Sequence, residues 1–298
     1  MKLIKYTLLL CFVSLKLFSQ TGIKTVPYNQ RAIPSINTQS AFSSEKRSLK
    51  GPNVSKLLEE DNRNQETGGV PLRFGDKIPV TYNLNNSGSW TVLENGDRIW
   101  LLTINSDEAK SINLLFDKFW IPKGGSLYIY NNDKSQVYGP LIEGSNVGSF
   151  ENPVGFASSI VTGDELTLEY YEPKKQKDRG IISISDVVYG YKNLRSLIRI
   201  NSQRTEDQGA PGNSGACQVD INCSEGNKWQ REKRSVVRLI VDGISLCSGS
   251  LINNTNNDGD PLLLTADHCI RNRGFDAVTN PGMANLVLWW DYEDTGCG

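Results

Sequence analysis

The chain has 298 residues, enough for two domains of ordinary size, and its 32 Lys and Arg stand against 33 Asp and Glu. That balance excludes a polyanion-seeking surface, so no nucleic-acid partner is expected. The 27 glycines and frequent Asn and Ser favour β structure with many turns.

Residues 1–20 read as a signal peptide. Lys2 and Lys5 precede the apolar run Leu8–Val13, Lys16 interrupts it, and Ser19-Gln20 offers a cleavage point. The run is too short to span a bilayer, so no membrane attachment is expected after cleavage. Cys11 would leave with it, without lipidation. Residues 21–71 are polar and lack apolar periodicity, which predicts an extended leader or arm.

Residues 72–191 carry short apolar runs at regular spacing. Strands are predicted at Ile78–Tyr82, Ser89–Glu94, Arg98–Ile104, Ser111–Phe116, Ser126–Tyr130, Val137–Leu141, Phe156–Val161, Glu165–Tyr171 and Ile181–Tyr189. Asn95-Gly96 marks a type I′ hairpin between two of them. So many short strands with almost no helical pattern predict an all-β fold, here an antiparallel β-sandwich. Its aromatics (Trp90, Trp100, Trp120, Tyr128, Tyr130, Tyr170 and Tyr171) fit a sandwich core and its flanks. The competing reading is a carbohydrate-binding platform. No paired carboxylates, metal-ligand spacing or nucleophile pattern stands out in this stretch. Residues 192–211 form a basic, then polar link of the kind where processing occurs.

The chemistry gathers in the last third. From Cys247 to Cys269, the apolar runs Ser250–Ile252 and Leu262–Leu264 flank a polar loop, and the second ends in Thr265-Ala266-Asp267-His268-Cys269. This predicts two strands and a surface connection. His268 is the only histidine. A general base must be held in one orientation, and a Cys247–Cys269 bridge would clamp the turn that carries it. The five cysteines left after Cys11 are all in this third, as disulfides of an exported protein would be. Zinc is disfavoured at His268-Cys269, since no second ligand pair at metal spacing appears.

Several motifs carry a resemblance. Ser214-Gly215-Ala216-Cys217 and Cys223 come first, then Arg234-Ser235-Val236 and Cys247-Ser248-Gly249-Ser250-Leu251. Leu264-Thr265-Ala266-Asp267-His268-Cys269 follows, and Val287-Leu288-Trp289-Trp290-Asp291-Tyr292 with Cys297 closes the set. Together they resemble the lysyl endopeptidase branch of the trypsin-like serine peptidases. The resemblance implies that residues 212–298 are the amino-terminal β-barrel part of a chymotrypsin-like double barrel, and that residues 72–191 are a propeptide domain. It implies His268 as general base, protein or peptide substrates cut after Lys or Arg, the propeptide as intramolecular partner, and no cofactor. It further implies pairs Cys247–Cys269 and Cys223–Cys297, leaving Cys217 for a partner elsewhere in the enzyme domain. The family's acid and serine follow the histidine at greater distance than the thirty residues to Gly298, so both are expected outside this sequence.

Ser214 lies in a G-x-S-G pattern but precedes the histidine, whereas the family's nucleophile comes last. Asp267 is a backbone neighbour and a poor orienting group; Asp276, Asp291 and Asp294 lie too early for the family's acid. The alternative function is an inactive exported sandwich protein with a peptidase remnant. Part of a double barrel is also expected to leave an apolar face unmatched.

Overall fold

The computed structural model describes residues 43–67, 70–193, 219–256, 258–270, 285–290 and 292. The signal-peptide stretch and most of the 192–211 link lie outside these residues. The class is all-β, and no described helix is long and apolar enough to cross a membrane.

Three sheets are formed among the described residues. The first contains β1 (Glu45–Ser48), β4 (Ser89–Val92), β5 (Arg98–Asn105), β7 (Ser126–Asn131), β8 (Val137–Leu141) and β10 (Glu165–Glu172). Its order is β1-β5-β10-β7-β8, with β4 also on β5. The second has the order β3-β11-β6-β9, where β3 is Gly75–Asn83, β6 Ser111–Trp120, β9 Val161–Thr162 and β11 Ile181–Gly190. Alternate residues of the two enclose one core that includes Trp100, Leu102, Ile112, Leu114, Phe116, Ile129, Leu168, Tyr170 and Val187. Trp100 and Tyr170 are fully buried in that core, Tyr128 and Tyr130 are buried in a separate cluster with Val137, and Trp90, Trp120 and Tyr171 are half-buried.

The third sheet has the order β14-β13-β12-β15: β12 is Val236–Val241, β13 Ser245–Ile252, β14 Leu262–Thr265 and β15 Val287–Trp290. Barrel closure was expected here. Among the described residues no pairing joins β14 to β15, so the sheet is open.

The second sheet is buried on both faces. Along β6, Leu114 and Phe116 point into the sandwich core while Leu115 points out; along β11, Val187 and Tyr189 point in and Val188 points out. Leu115 and Val188 pack with Phe74, Ala157 and Ile160 against Ile240, Leu246, Val287 and Trp289 of the third sheet. The result is three stacked layers. Consecutive apolar residues in β6 and β11 follow from it, since a strand buried on both sides cannot alternate apolar with polar.

Four details differ from the sequence-based expectations. The stretch 21–71 contains β1 and the helix α1 (Val54–Thr67). β1 runs parallel to β5. Asn53 caps α1, its side-chain oxygen accepting from Lys56 N at 3.1 Å. The sparse apolar content hid the helix because it rests on buried Leu57 and the buried carboxylate of Asp61.

The Asn95-Gly96 hairpin forms without a type I′ turn: Gly96 has φ +84°, whereas Asn95 is absent from the positive-φ positions. Gly96 N donates to Leu93 O, a three-residue loop with glycine at the left-handed position. Phe156–Ile160 is not a strand. It is held to β6 by separate bonds, Ser158 N to Leu114 O and Leu114 N to Ser158 Oγ, so a serine hydroxyl replaces part of the ladder. Lastly, backbone pairing reaches the first residue of the 192–211 link, as Tyr191 N and Lys192 N both donate to Phe74 O.

Candidate functional site

His268 is positioned by the β13–β14 pair. Gly249 faces Thr265, Ser250 faces Leu264, Leu251 faces Leu263 and Ile252 faces Leu262. Thr265 Oγ1 donates to Ser248 O at 2.8 Å, fastening the end of β14. The chain then makes the single turn α2 (Asp267–Ile270), with Cys269 N donating to Ala266 O. His268 is half-buried on this turn.

A Cys247–Cys269 disulfide ties the turn back to β13, with the Cα atoms 6.1 Å apart. Both cysteines are buried among Val237, Leu239, Val241 and Leu288. One imidazole nitrogen of His268 lies within 4.8 Å of both sulfurs. Sulfurs joined to each other are not thiolates, so this cluster does not offer a zinc site. The arrangement can hold an imidazole in a fixed place at a strand end, as proton transfer requires.

The polar loop between β13 and β14 is organised by Asp258. Its carboxylate accepts from Asn254 Nδ2 at 2.5 Å and from Asp260 N at 3.0 Å. These bonds hold the exposed Asp258 carboxyl below its ordinary pKa.

Of the other named residues, Asp267 is exposed in the first turn of α2. Cys223 is buried and disulfide-bonded, its partner lying outside the described residues. Cys217, Cys297, Ser214, Asp276, Asp291 and Asp294 also lie outside them. The structure therefore brings Cys247, His268 and Cys269 together and leaves the Cys223–Cys297 pairing as an expectation.

Two features were missed in the sequence. One is the β12–β13 hairpin, whose turn has Asp242 at φ +53° and Gly243 at φ +72°. Asp-Gly between two apolar runs was the available signal. The other is β2 (Leu72–Arg73), which pairs with Leu246 and Ser245 of β13. β14 covers β13 only from Gly249 onward, and β2 lies along the beginning of the same edge. At two residues, β2 was too short to show a period.

The expected unmatched apolar face is partly met. Ile240, Leu246, Val287 and Trp289 are covered by the sandwich. Val236 and Leu264, both paired with Ser250 and hence on that same face, remain 52% and 48% exposed.

Comparison with known proteins bears on this sheet. Residues 211–298 match the family model of the lysyl endopeptidase C-terminal domain. Over 149 residues the chain is 28% identical to lysyl endopeptidase of Pseudomonas aeruginosa, covering 47% of this chain. It spans 29% of that relative's length. An alignment of 149 residues is longer than the stretch 211–298, so part of the likeness lies before residue 211. No solved structure matches.

Proposed function

We propose that residues 212–298 are the first part of a secreted serine endopeptidase domain, acting after Lys or Arg, and that residues 72–191 are its propeptide domain. Likeness to the lysyl endopeptidase family supports the chemistry. The observation that carries the role of His268 is its seat immediately beyond β14, on a turn bonded to β13 through Cys247–Cys269.

In this reading His268 removes the proton from a serine hydroxyl as the oxygen attacks the scissile carbonyl. It then returns that proton to the departing amine, and water releases the acyl group by the same route in reverse. The serine and the orienting acid come from outside the 298 residues. The clamp's contribution is to fix the imidazole before substrate arrives, which removes part of the ordering cost from the reaction.

A serine-directed phosphonate carrying a lysine-like side chain, applied to the protein secreted from its own gene, tests this. Labelling that disappears in His268→Ala, with secretion retained, is expected. Secreted protein that neither reacts with the probe nor cleaves lysyl or arginyl peptides overturns the peptidase reading and favours an exported binding protein.

A further inference from the structure

Two sulfurs and one imidazole meet where β14 ends, and the sequence spacing hides the third donor. His268 and Cys269 are neighbours, but Cys247 arrives from the adjacent strand. A ligand atom from each of the three lies within 4.8 Å of the other two. Around tetrahedral zinc, with Zn–S about 2.3 Å and Zn–N about 2.0 Å, such donors stand roughly 3.5–3.8 Å apart. The bond between the sulfurs is therefore what excludes a metal, not the placement of the residues.

That placement does not depend on the bridge alone. Cys247 is fixed in β13 opposite Leu239 of β12. The turn carrying Cys269 is held by Cys269 N donating to Ala266 O, and Thr265 Oγ1 donates to Ser248 O at 2.8 Å just before it. On the other edge of β13, β2 covers Ser245 and Leu246, and β14 begins opposite Gly249. Cys247 stands at the break between the two, so a small adjustment there costs no described ladder pairing on that edge. The surroundings also suit a metal. Two thiolates and a neutral imidazole around a divalent cation sum to zero charge, as burial among Val237, Leu239, Val241 and Leu288 demands.

We propose that Cys247, Cys269 and His268 form a redox-gated zinc site, closed while the sulfurs are bonded to each other and open to a soft divalent cation once they are reduced. A dithiol supplies two electrons and two protons, breaking the S–S bond and itself becoming a disulfide. Zinc then displaces both thiol protons to solvent and forms two Zn–S bonds and one Zn–N bond, with water in the fourth position. The metal takes over the tie between β13 and the turn, and its bond occupies the imidazole nitrogen. Metal binding stands independently of any hydrolysis; only its consequence, a base unable to accept a proton, rests on the reading of the previous subsection.

The test uses the full chain, reduced with a dithiol and freed of it by gel filtration without air, then titrated with cobalt as a spectroscopic substitute for zinc. Thiolate-to-cobalt charge-transfer absorption is expected at one metal per chain, reversed by added zinc and absent from the oxidised chain. Cys217, Cys223 and Cys297 are reduced as well, so variants make the assignment. His268→Ala, a change at a half-buried position, is expected to weaken binding about a hundredfold. Cys247→Ser is expected to abolish it, and Cys217→Ser with Cys297→Ser to leave it unchanged. A reduced chain without the absorption overturns the site, as does absorption of equal strength in both His268→Ala and Cys247→Ser. Equal binding by the oxidised chain overturns the gate. If the reduced, metal-free protein is labelled by the phosphonate and zinc abolishes that labelling, the consequence for the base is supported. A protein that binds one metal only when reduced, yet is never labelled in any state, keeps the site and refutes the peptidase reading alone.

Discussion

The Tyr191 hydroxyl donates to the Asp61 carboxylate at 2.7 Å, across 130 residues of sequence. Asp61 also receives Lys192 Nζ at 2.6 Å and Arg73 Nε at 2.8 Å. Arg73 reaches further to Leu57 O and Glu60. One buried carboxylate therefore joins α1, β2 and the end of the sandwich. Asp61→Asn leaves Lys192 and Arg73 facing a neutral amide in a largely dry place. The expected loss is about 3 kcal/mol in urea unfolding.

Acid should act on the same group. Burial would raise the Asp61 pKa, but the bonds from Lys192, Tyr191 and Arg73 outweigh it and hold the carboxyl below its ordinary value. A lowered folded pKa gives stability that is complete above the unfolded value and disappears as pH falls through the folded one. The stability gap between the natural chain and Asp61→Asn is therefore expected to be full at neutral pH and to narrow below pH ~4. Thermal melts of both proteins across that range measure it; a gap that stays constant down to pH ~2 contradicts it.

Gly243 combines a left-handed backbone with close packing. A Cβ there would lie 2.8 Å from Leu115 Cδ2 and 3.0 Å from Asn113 Nδ2. Gly243→Ala is expected to cost about 2–3 kcal/mol from backbone strain and overpacking together. Because the clash is with the second sheet, the variant should also loosen the third layer, seen as faster amide exchange at Ile240 and Leu246. Unchanged exchange there would show that the tip accommodates the methyl alone.

The Cys247–Cys269 bridge closes a loop with a sequence separation of 22. Replacing both cysteines by alanine removes that constraint from the unfolded chain, at an expected cost of about 3 kcal/mol. The larger consequence should fall on His268, whose turn then hangs from β14 alone. In the proposed peptidase kcat is expected to drop more than KM rises, because positioning of a general base matters chiefly in the transition state. A loss confined to KM would mean that the clamp shapes substrate binding.

Much of the sandwich was legible because its strands obey simple patterns. Arg98–Ile104 and Val137–Leu141 show this, matching β5 and β8 almost to the residue. The bridged turn that carries His268 was legible from its neighbours, since Thr265-Ala266 before it and Cys269 after it are short-range features. The three-layer stack was not read, although Leu114-Leu115-Phe116 and Val187-Val188-Tyr189 break alternation in the way a doubly buried strand must. What those runs would pack against could not be known without β12 and β13, more than a hundred residues from β6. Leu72-Arg73 was invisible for a related reason: a two-residue strand owes its existence wholly to the edge it fills.

That edge also sets a timetable. Ser245 and Leu246 are made some 170 residues after Arg73, a wait on the order of ten to thirty seconds at ribosomal speed. By the time they emerge, every described strand of the first two sheets, the last of which ends at Gly190, has been made. The late hairpin then lands on a finished surface, so its long-range pairing is reduced to docking, and the slowest step of a nonlocal β topology is taken by residues that are already waiting.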